Sequence, residues 1–186
     1  MRKCRIASLI AVGAISLPLL ASTTSAVSAS SRTAPPIGKQ LAELQGSDLA
    51  AGDLFGGSVA ISGTTAVVGE TSVPGERAYV FTKTASGWKQ TAELKGSGTV
   101  TDGLFGLSVA ISGTTAVVGA NGHAKAGRAY VFIETTTGWH QVAELKGSDA
   151  VVGDDFGSSV AISGTTAIVG ANGHAKNTGR VYVFEA

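Results

Sequence analysis

The 186-residue sequence carries 14 lysines and arginines, 13 acidic residues and 26 glycines, for a formal net charge of +1. The basic residues are spread along the chain, which argues against the concentrated positive surface of a nucleic-acid-binding protein. The single cysteine is Cys4. The rest of the chain therefore has no disulfide and depends on packing for its stability.

The N-terminal segment has the pattern of a secretory signal peptide. Three basic residues precede an uncharged apolar run over residues 6–21, and small residues follow up to Ser31. The apolar run is short for a membrane span, which needs about 20 residues. An uncleaved membrane anchor is the alternative interpretation.

We therefore predict a signal peptide over residues 1–29, cleaved near Ala26 or Ala29, and a flexible linker over residues 30–37. The mature protein would be secreted to the extracellular space, with no membrane span.

The rest of the sequence repeats three times. Residues 55–69 recur as residues 105–119 and 156–170. Two shorter signatures recur in step. They are Arg-x-Tyr-Val-Phe, from Arg77, Arg128 and Arg180, and Gln-x-Ala-Glu-Leu, from Gln40, Gln90 and Gln141. Such periodicity is typical of repeat architectures such as propellers.

Each repeat predicts four short strands and no helix. In the first repeat they cover residues 58–62, 65–68, 77–82 and 88–95, rich in β-branched and aromatic residues and bounded by glycine and serine. The second and third strands are apolar on both faces, so both faces are expected to be covered. The fourth strand has one charged face, as an outer edge strand should. This pattern describes a propeller blade.

The motifs Phe-Gly-x-Ser-Val-Ala, Val-Val-Gly-Ala and Gly-Arg-Ala-Tyr-Val-Phe resemble the FG-GAP repeat of integrin α-subunits and of many bacterial exported proteins. The resemblance covers residues 39–186. It implies a β-propeller fold and a role in adhesion or ligand binding. Integrin-type repeats often hold calcium in an Asp-rich loop between the first two strands. That position is Ser-Gly-Thr-Thr in all three repeats, without a carboxylate, so we expect no calcium there and no other cofactor.

The resulting prediction is an all-β, propeller-type array of three four-stranded antiparallel blades, at about 47–96, 97–147 and 148–186, within a domain that begins at Gly38. The segment 38–46 would supply the fourth strand of the last blade. Since propellers typically have four to eight blades, we expect a dimer that closes a six-bladed ring.

The strand order predicts that the loops between the second and third strands share one face with the links between blades. Ligand sites concentrate on such loops, and the candidates are Asp102, His123, Lys125, His174 and Lys176. Weak cation binding is conceivable at Asp48, Asp53, Asp149, Asp154 and Asp155. The favoured interpretation is that these aspartates hydrogen-bond their own turns.

Several repeated residues have structural interpretations. The phenylalanine of each Phe-Gly pair is expected to fill the space between blades, and the glycine to allow close approach or a positive φ. The pairs are Phe55–Gly56, Phe105–Gly106 and Phe156–Gly157. The arginines at 77, 128 and 180 are expected to bridge blades or cover tyrosine rings. Trp88 and Trp139 are assigned to packing, with sugar stacking as the alternative.

These patterns favour a secreted, non-catalytic binding, adhesion or scaffolding module, whose ligand is an extracellular protein or glycan. No convergent acid–base set is visible. The alternatives are an exported enzyme that acts on a polysaccharide or phosphoester, and a fragment that completes a larger propeller.

Overall fold

The structure is a computed structural model that describes residues 37–72, 76–98 and 102–186. The predicted signal peptide and the predicted linker up to residue 36 lie outside the described residues. Residues from Gln40 onward form one compact unit. Within the described ranges, no helix is long and apolar enough to cross a membrane.

The described chain forms three antiparallel sheets, one for each repeat, which confirms the all-β, blade-type prediction. Within each blade, every strand pairs with the next along the chain. Tight Gly-containing turns join the first strand to the second and the third to the fourth, whereas a longer loop joins the second to the third. The first blade contains β1 (Ser58–Ser62), β2 (Thr65–Glu70), β3 (Arg77–Thr84) and β4 (Gly87–Leu94). The second contains β5 (Phe105–Ser112), β6 (Thr115–Ala120), β7 (Arg128–Thr135) and β8 (Gly138–Leu145). The third contains β9 (Phe156–Ser163), β10 (Thr166–Ala171) and β11 (Arg180–Glu185).

The third sheet differs from the prediction because it has three strands, in the order β11–β10–β9. Residues 39–46 form no strand, so the predicted completion of the last blade is not made within the chain. Instead, Leu44 packs against the outer face of the first blade, which lies at the opposite end of the stack from β11.

The blades stack in sequence through their apolar faces. One core cluster joins the first blade to the second and includes Val67, Val80, Phe105 and Phe132. A second cluster joins the second blade to the third and includes Val117, Val131 and Phe156. The middle blade is thus covered on both faces, whereas each end blade is covered by a neighbouring blade on one face only.

Two short helical turns interrupt the predicted all-strand pattern. They are a 3-10 turn, His123–Lys125, and a four-residue helix, α1 (His174–Asn177). Both contain residues with positive φ, such as Lys125 at 61° and Lys176 at 59°. These turns are too short for helical periodicity to reveal them in the sequence.

Candidate functional site

The loops between second and third strands lie beside the links between blades, as the strand order predicted. Backbone hydrogen bonds tie the two sets of segments together: Gly122 N to Gly103 O at 3.1 Å, Gly153 N to Lys125 O at 2.7 Å, Phe156 N to Ala126 O at 2.9 Å and Gly173 N to Asp154 O at 3.1 Å. We call this surface the loop face. Two of these bonds cross from the third blade to the second, and two join a loop to the link of its own repeat. The loops of the second and third blades are therefore fixed relative to each other.

The two loop histidines face inward. His174 is buried, and its Nδ1 lies 3.0 Å from Asp154 Oδ2. Its ring makes an edge contact with Tyr182, and the half-buried His123 makes the same contact with Tyr130. These imidazoles therefore support their loops, and they present little surface to a ligand.

The loop-face candidates that are exposed are the two lysines and Asp102. Lys125 and Lys176 are exposed at equivalent positions of the second and third blades, and neither forms an ion pair with a described residue. Asp102 is also exposed. Its carbonyl oxygen packs against Gly122, where an added Cβ would lie 2.2 Å from that oxygen. The loop face therefore offers two ammonium groups and one carboxylate.

Two aspartates in the links bind the tyrosines of the end blades. Asp48 accepts a hydrogen bond from Tyr79 Oη at 2.8 Å, and Asp149 accepts one from Tyr182 Oη at 2.6 Å. The bond from Tyr79, followed by the charge of Arg77, holds the pKa of Asp48 below its usual value. Tyr182 lowers the pKa of Asp149 in the same way.

The arginines at 77, 128 and 180 form ion pairs with carboxylates of their own repeats. Arg77 contacts Asp48 and Glu93 of β4, and Arg180 contacts Asp149. Each guanidinium thus joins its blade to the link that precedes the blade, or to the blade's own fourth strand.

The other candidate aspartates serve their own turns. Asp53 accepts from the backbone N–H of Ala50, and Asp154 accepts from that of Val151 at 2.8 Å. The Val151 N–H, followed by the contact with His174, lowers the pKa of Asp154. Asp155 has a φ of 54° and accepts from Ser158 N through its carbonyl oxygen at 3.0 Å. No group of three His, Cys, Asp or Glu side chains among the described residues is arranged to hold a metal ion.

The middle blade lacks both kinds of aspartate. Gly98 and Gly103 stand where the other repeats have Asp48 or Asp149 and Asp53 or Asp154. As a result, Tyr130 Oη and His123 Nδ1 are buried without a hydrogen-bond partner among the described residues. Burial raises the pKa of Tyr130 to about 12.

The second and third Phe-Gly pairs have the predicted structural roles, whereas Phe55 packs on the outer face of the first blade and a Cβ at Gly56 would meet no heavy atom within 4 Å. Phe105 lies between the first two blades, in a tilted ring contact with Tyr130 and an edge contact with Phe132. Gly106 has a φ of 93°, and a Cβ there would be 2.5 Å from Arg77 O. Phe156 and Gly157 repeat this arrangement in the third blade. Close approach and positive φ therefore both require glycine.

The two tryptophans pack on the blades. Trp88 lies against the cluster on the outer face of the first blade, and Trp139 lies against the cluster between the first and second blades. Both are half-buried. Their position fits the packing interpretation.

Sequence reasoning missed two features. Glu70 lies beyond the predicted strand 65–68, yet it ends β2 fully buried and pairs with Arg77 Nε at 3.1 Å. The glutamine of each complete fourth strand also holds the serine of a link: Gln90 binds Ser47, and Gln141 binds Ser97. The recurrence of Gln-x-Ala-Glu-Leu and of Gly-Ser at fixed spacing was the available signal.

The fold and its repeated contacts define a β-propeller-type repeat module, with sheets that do not close into a ring. The family model described as FG-GAP repeat matches residues 39–81, 88–132 and 139–184, and the chain belongs to the FG-GAP repeat family. All three matches end at a third strand, and the second and third matches begin in the fourth strands β4 and β8. The second and third sequence repeats therefore each carry the outer strand of the preceding blade. No curated protein matches the chain.

Proposed function

We propose that the protein is a secreted, non-catalytic binding module that presents the loop face to an extracellular protein or glycan. The observation that carries the proposal is the set of hydrogen bonds across blades that fixes the loops, since a binding surface gains affinity from preorganisation. Secretion rests on the signal-peptide pattern of residues 1–29.

The exposed chemistry of the loop face favours an acidic ligand. Lys125 and Lys176 repeat the same exposed ammonium group on adjacent blades. Charged partners of opposite sign are attracted and oriented by such groups, and salt screens the attraction. Sulfated or carboxylated glycans and acidic protein segments are therefore the ligand classes that fit.

The test is binding to a panel of sulfated, carboxylated and neutral polysaccharides. We expect retention on the acidic members, lost at about 0.5 M salt. Lys125→Ala and Lys176→Ala should each weaken binding about three- to tenfold, which corresponds to roughly 0.7–1.4 kcal/mol. Lys83→Ala is the matched control, because Lys83 is exposed near the turn at the opposite end of its blade.

Two results would contradict the proposal. Equal losses for Lys83→Ala would mean that net charge, not the loop face, binds the polysaccharide. Turnover of a polysaccharide or phosphoester that His174→Asn abolishes, with the fold intact, would favour the enzyme alternative. The burial of His174 and its contact with Asp154 support a structural role instead.

A further inference from the structure

Each pair of successive blades shares a hydrogen bond, and the equivalent donor of the last blade and the equivalent acceptor of the first blade have no neighbouring blade to bond to. A serine of one blade donates to the Phe-Gly glycine of the next: Ser58 Oγ to Gly106 O at 2.7 Å, and Ser108 Oγ to Gly157 O at 2.8 Å. The equivalent serine of the third blade is Ser159, which is exposed and makes no such bond to a described residue. The equivalent acceptor of the first blade is Gly56.

The space around the Phe-Gly glycines also differs between the first blade and the other two. A Cβ at Gly106 would lie 2.5 Å from Arg77 O, and one at Gly157 would lie 2.1 Å from Arg128 O, because the preceding blade is there. A Cβ at Gly56 would meet no heavy atom within 4 Å. The place that a preceding blade occupies in the other two repeats is open in front of the first blade.

The two end surfaces of the array expose apolar residues at positions that are buried in the middle blade. On the rear face of the third blade, Val181 and Val183 are 63% and 68% exposed, whereas the equivalent Ala129 and Val131 are 0% and 1% exposed. A valine thus replaces a buried alanine at the exposed position. On the front face of the first blade, Val59 and Ile61 are 70% and 64% exposed. Their equivalents in the middle blade, Val109 and Ile111, are buried at 9% and 8% exposure. Adjacent apolar residues exposed in this way mark an interaction surface.

The charges on the open edge of β11 are complementary to those on residues 39–46, the segment that precedes the first blade. In both complete blades, an arginine of the third strand pairs with a glutamate of the fourth: Arg77 with Glu93 at 3.2 Å, and Arg128 with Glu144 at 2.8 Å. The third blade supplies Arg180 without a fourth strand. Glu43 occupies the glutamate position of the Gln-x-Ala-Glu-Leu motif in the segment that has no sheet.

The same segment supplies the missing amide. Gln90 binds Ser47, and Gln141 binds Ser97, each through two hydrogen bonds. The next equivalents are Ser148 and Gln40. Ser148 is exposed, and no fourth strand brings a glutamine to it.

The register of the complete blades adds an opposite-charge pair. Thr82 pairs with Lys89 across β3 and β4, and the equivalent positions hold Glu185 and Lys39. Directly opposed charges of opposite sign stabilise an antiparallel pair. The segment is also on the correct side of the first blade, because Leu44 packs against that blade's front face, where a preceding blade would contribute its last leucine, as Leu94 does between the first two blades.

We propose that a second copy of this chain occupies both ends of the array, and that residues 39–44 of each copy form the fourth strand beside β11 of the other. Two copies give six blades, within the four to eight typical of propellers, and three blades are too few to close. The contact is head-to-tail and closes after two steps, so every blade of the symmetric dimer has a neighbouring blade on both faces.

Cysteine cross-linking across the exchanged strand tests the proposal. The variant is Lys39→Cys/Glu185→Cys in a Cys4→Ser background. It is produced from the full sequence and purified in whatever processed form the cell yields. Thr82→Cys/Lys89→Cys is the matched control, because Thr82 and Lys89 pair within one chain. The mismatched pair Lys39→Cys/Val181→Cys tests the register. Mass is read by denaturing, non-reducing electrophoresis and, for the native protein, by light scattering.

We expect a covalent species of twice the chain mass from the exchange pair, an internal disulfide from the control and no cross-link from the mismatched pair. Light scattering should give two chains for the unmodified protein. A ladder of higher multiples would show an open filament instead of a ring. An internal disulfide in the exchange pair would show closure within one chain. No cross-link in the exchange pair, with the control oxidised, would show that residues 39–44 do not pair with β11. Each of these three results would overturn the proposal.

Discussion

The middle blade and the end blades are stabilised by different interactions, although they share one repeat. The middle blade is packed on both faces, and its Val117 and Val131 are 0% and 1% exposed. Its link has Gly98 and Gly103 at the two aspartate positions of the other repeats, and Tyr130 Oη is buried without a partner among the described residues. The end blades keep the aspartate–tyrosine–arginine contacts but leave apolar residues exposed. Packing on both faces therefore maintains the blade where polar contacts are missing.

The largest expected difference between middle and end is at the Phe-Gly glycines. Gly106→Ala should destabilise the protein by about 4 kcal/mol, because it adds left-handed strain to a clash with Arg77 O. Gly56→Ala should cost only the strain, about 1–2 kcal/mol, at low protein concentration. Urea unfolding of both variants measures the difference.

Protein concentration sharpens this comparison. If a second copy covers Gly56, raising the concentration should increase the stability of the unmodified protein but not that of Gly56→Ala. Equal losses for the two variants at the lowest concentration would contradict the distinction between middle and end blades.

The strands could be predicted because local sequence determines them. The predicted strand 58–62 matches β1, and the predicted strand 65–68 is β2 without its last two residues. Turn glycines and alternation specify these elements before any tertiary contact forms. The stacking of Phe105 between blades was also predictable, since both faces of the inner strands are apolar.

The pairing of residues 39–46 could not be predicted in the same way. A fourth-type strand has the same sequence pattern whether or not a partner edge is within reach, and the edge of β11 lies at the other end of the array. The burial of Glu70 was equally hidden, because it depends on Arg77 and Ser72 reaching its carboxylate. Contacts between distant segments, rather than local patterns, decide both outcomes.

Truncation of the valine on the rear face should give the next largest difference. Val131→Ala removes methyl groups from a fully packed position and should cost about 2 kcal/mol. Val183→Ala is equivalent but exposed, and should cost less than about 0.5 kcal/mol in the isolated chain. Thermal unfolding at low concentration checks this. Similar losses there would mean that the rear face of the third blade is already covered within one chain.

The tyrosines should show the opposite order. Tyr79→Phe removes the hydrogen bond to Asp48 and should cost about 1.5 kcal/mol, because the acceptor is charged. Tyr130→Phe removes a hydroxyl without a partner among the described residues and should be neutral or slightly stabilising. Chemical unfolding of the pair gives the comparison. A loss for Tyr130→Phe as large as that for Tyr79→Phe would show that the hydroxyl of the middle blade is satisfied after all.

The smallest expected effect is in acid. The pKa of Asp48 and of Asp149 is lowered in the folded state by the tyrosine hydrogen bonds and the neighbouring arginines. A carboxyl whose folded pKa lies below its unfolded value stabilises the protein above the unfolded pKa, about 3.9. That contribution is lost as the pH falls through the folded pKa. Stability should therefore decrease below about pH 4, and Asp48→Asn and Asp149→Asn should each flatten the decrease. Because both side chains are about half exposed, the change should be modest and should shrink in high salt.

Gly98→Asp supplies the converse test, because it places a carboxylate at the equivalent position beside Tyr130. It should add a decrease in stability below about pH 4 to the middle blade. Unfolding curves from pH 2 to 7 for the three variants measure these slopes, and an unchanged slope in both Asn variants would show that the aspartates of the end blades do not contribute to acid stability.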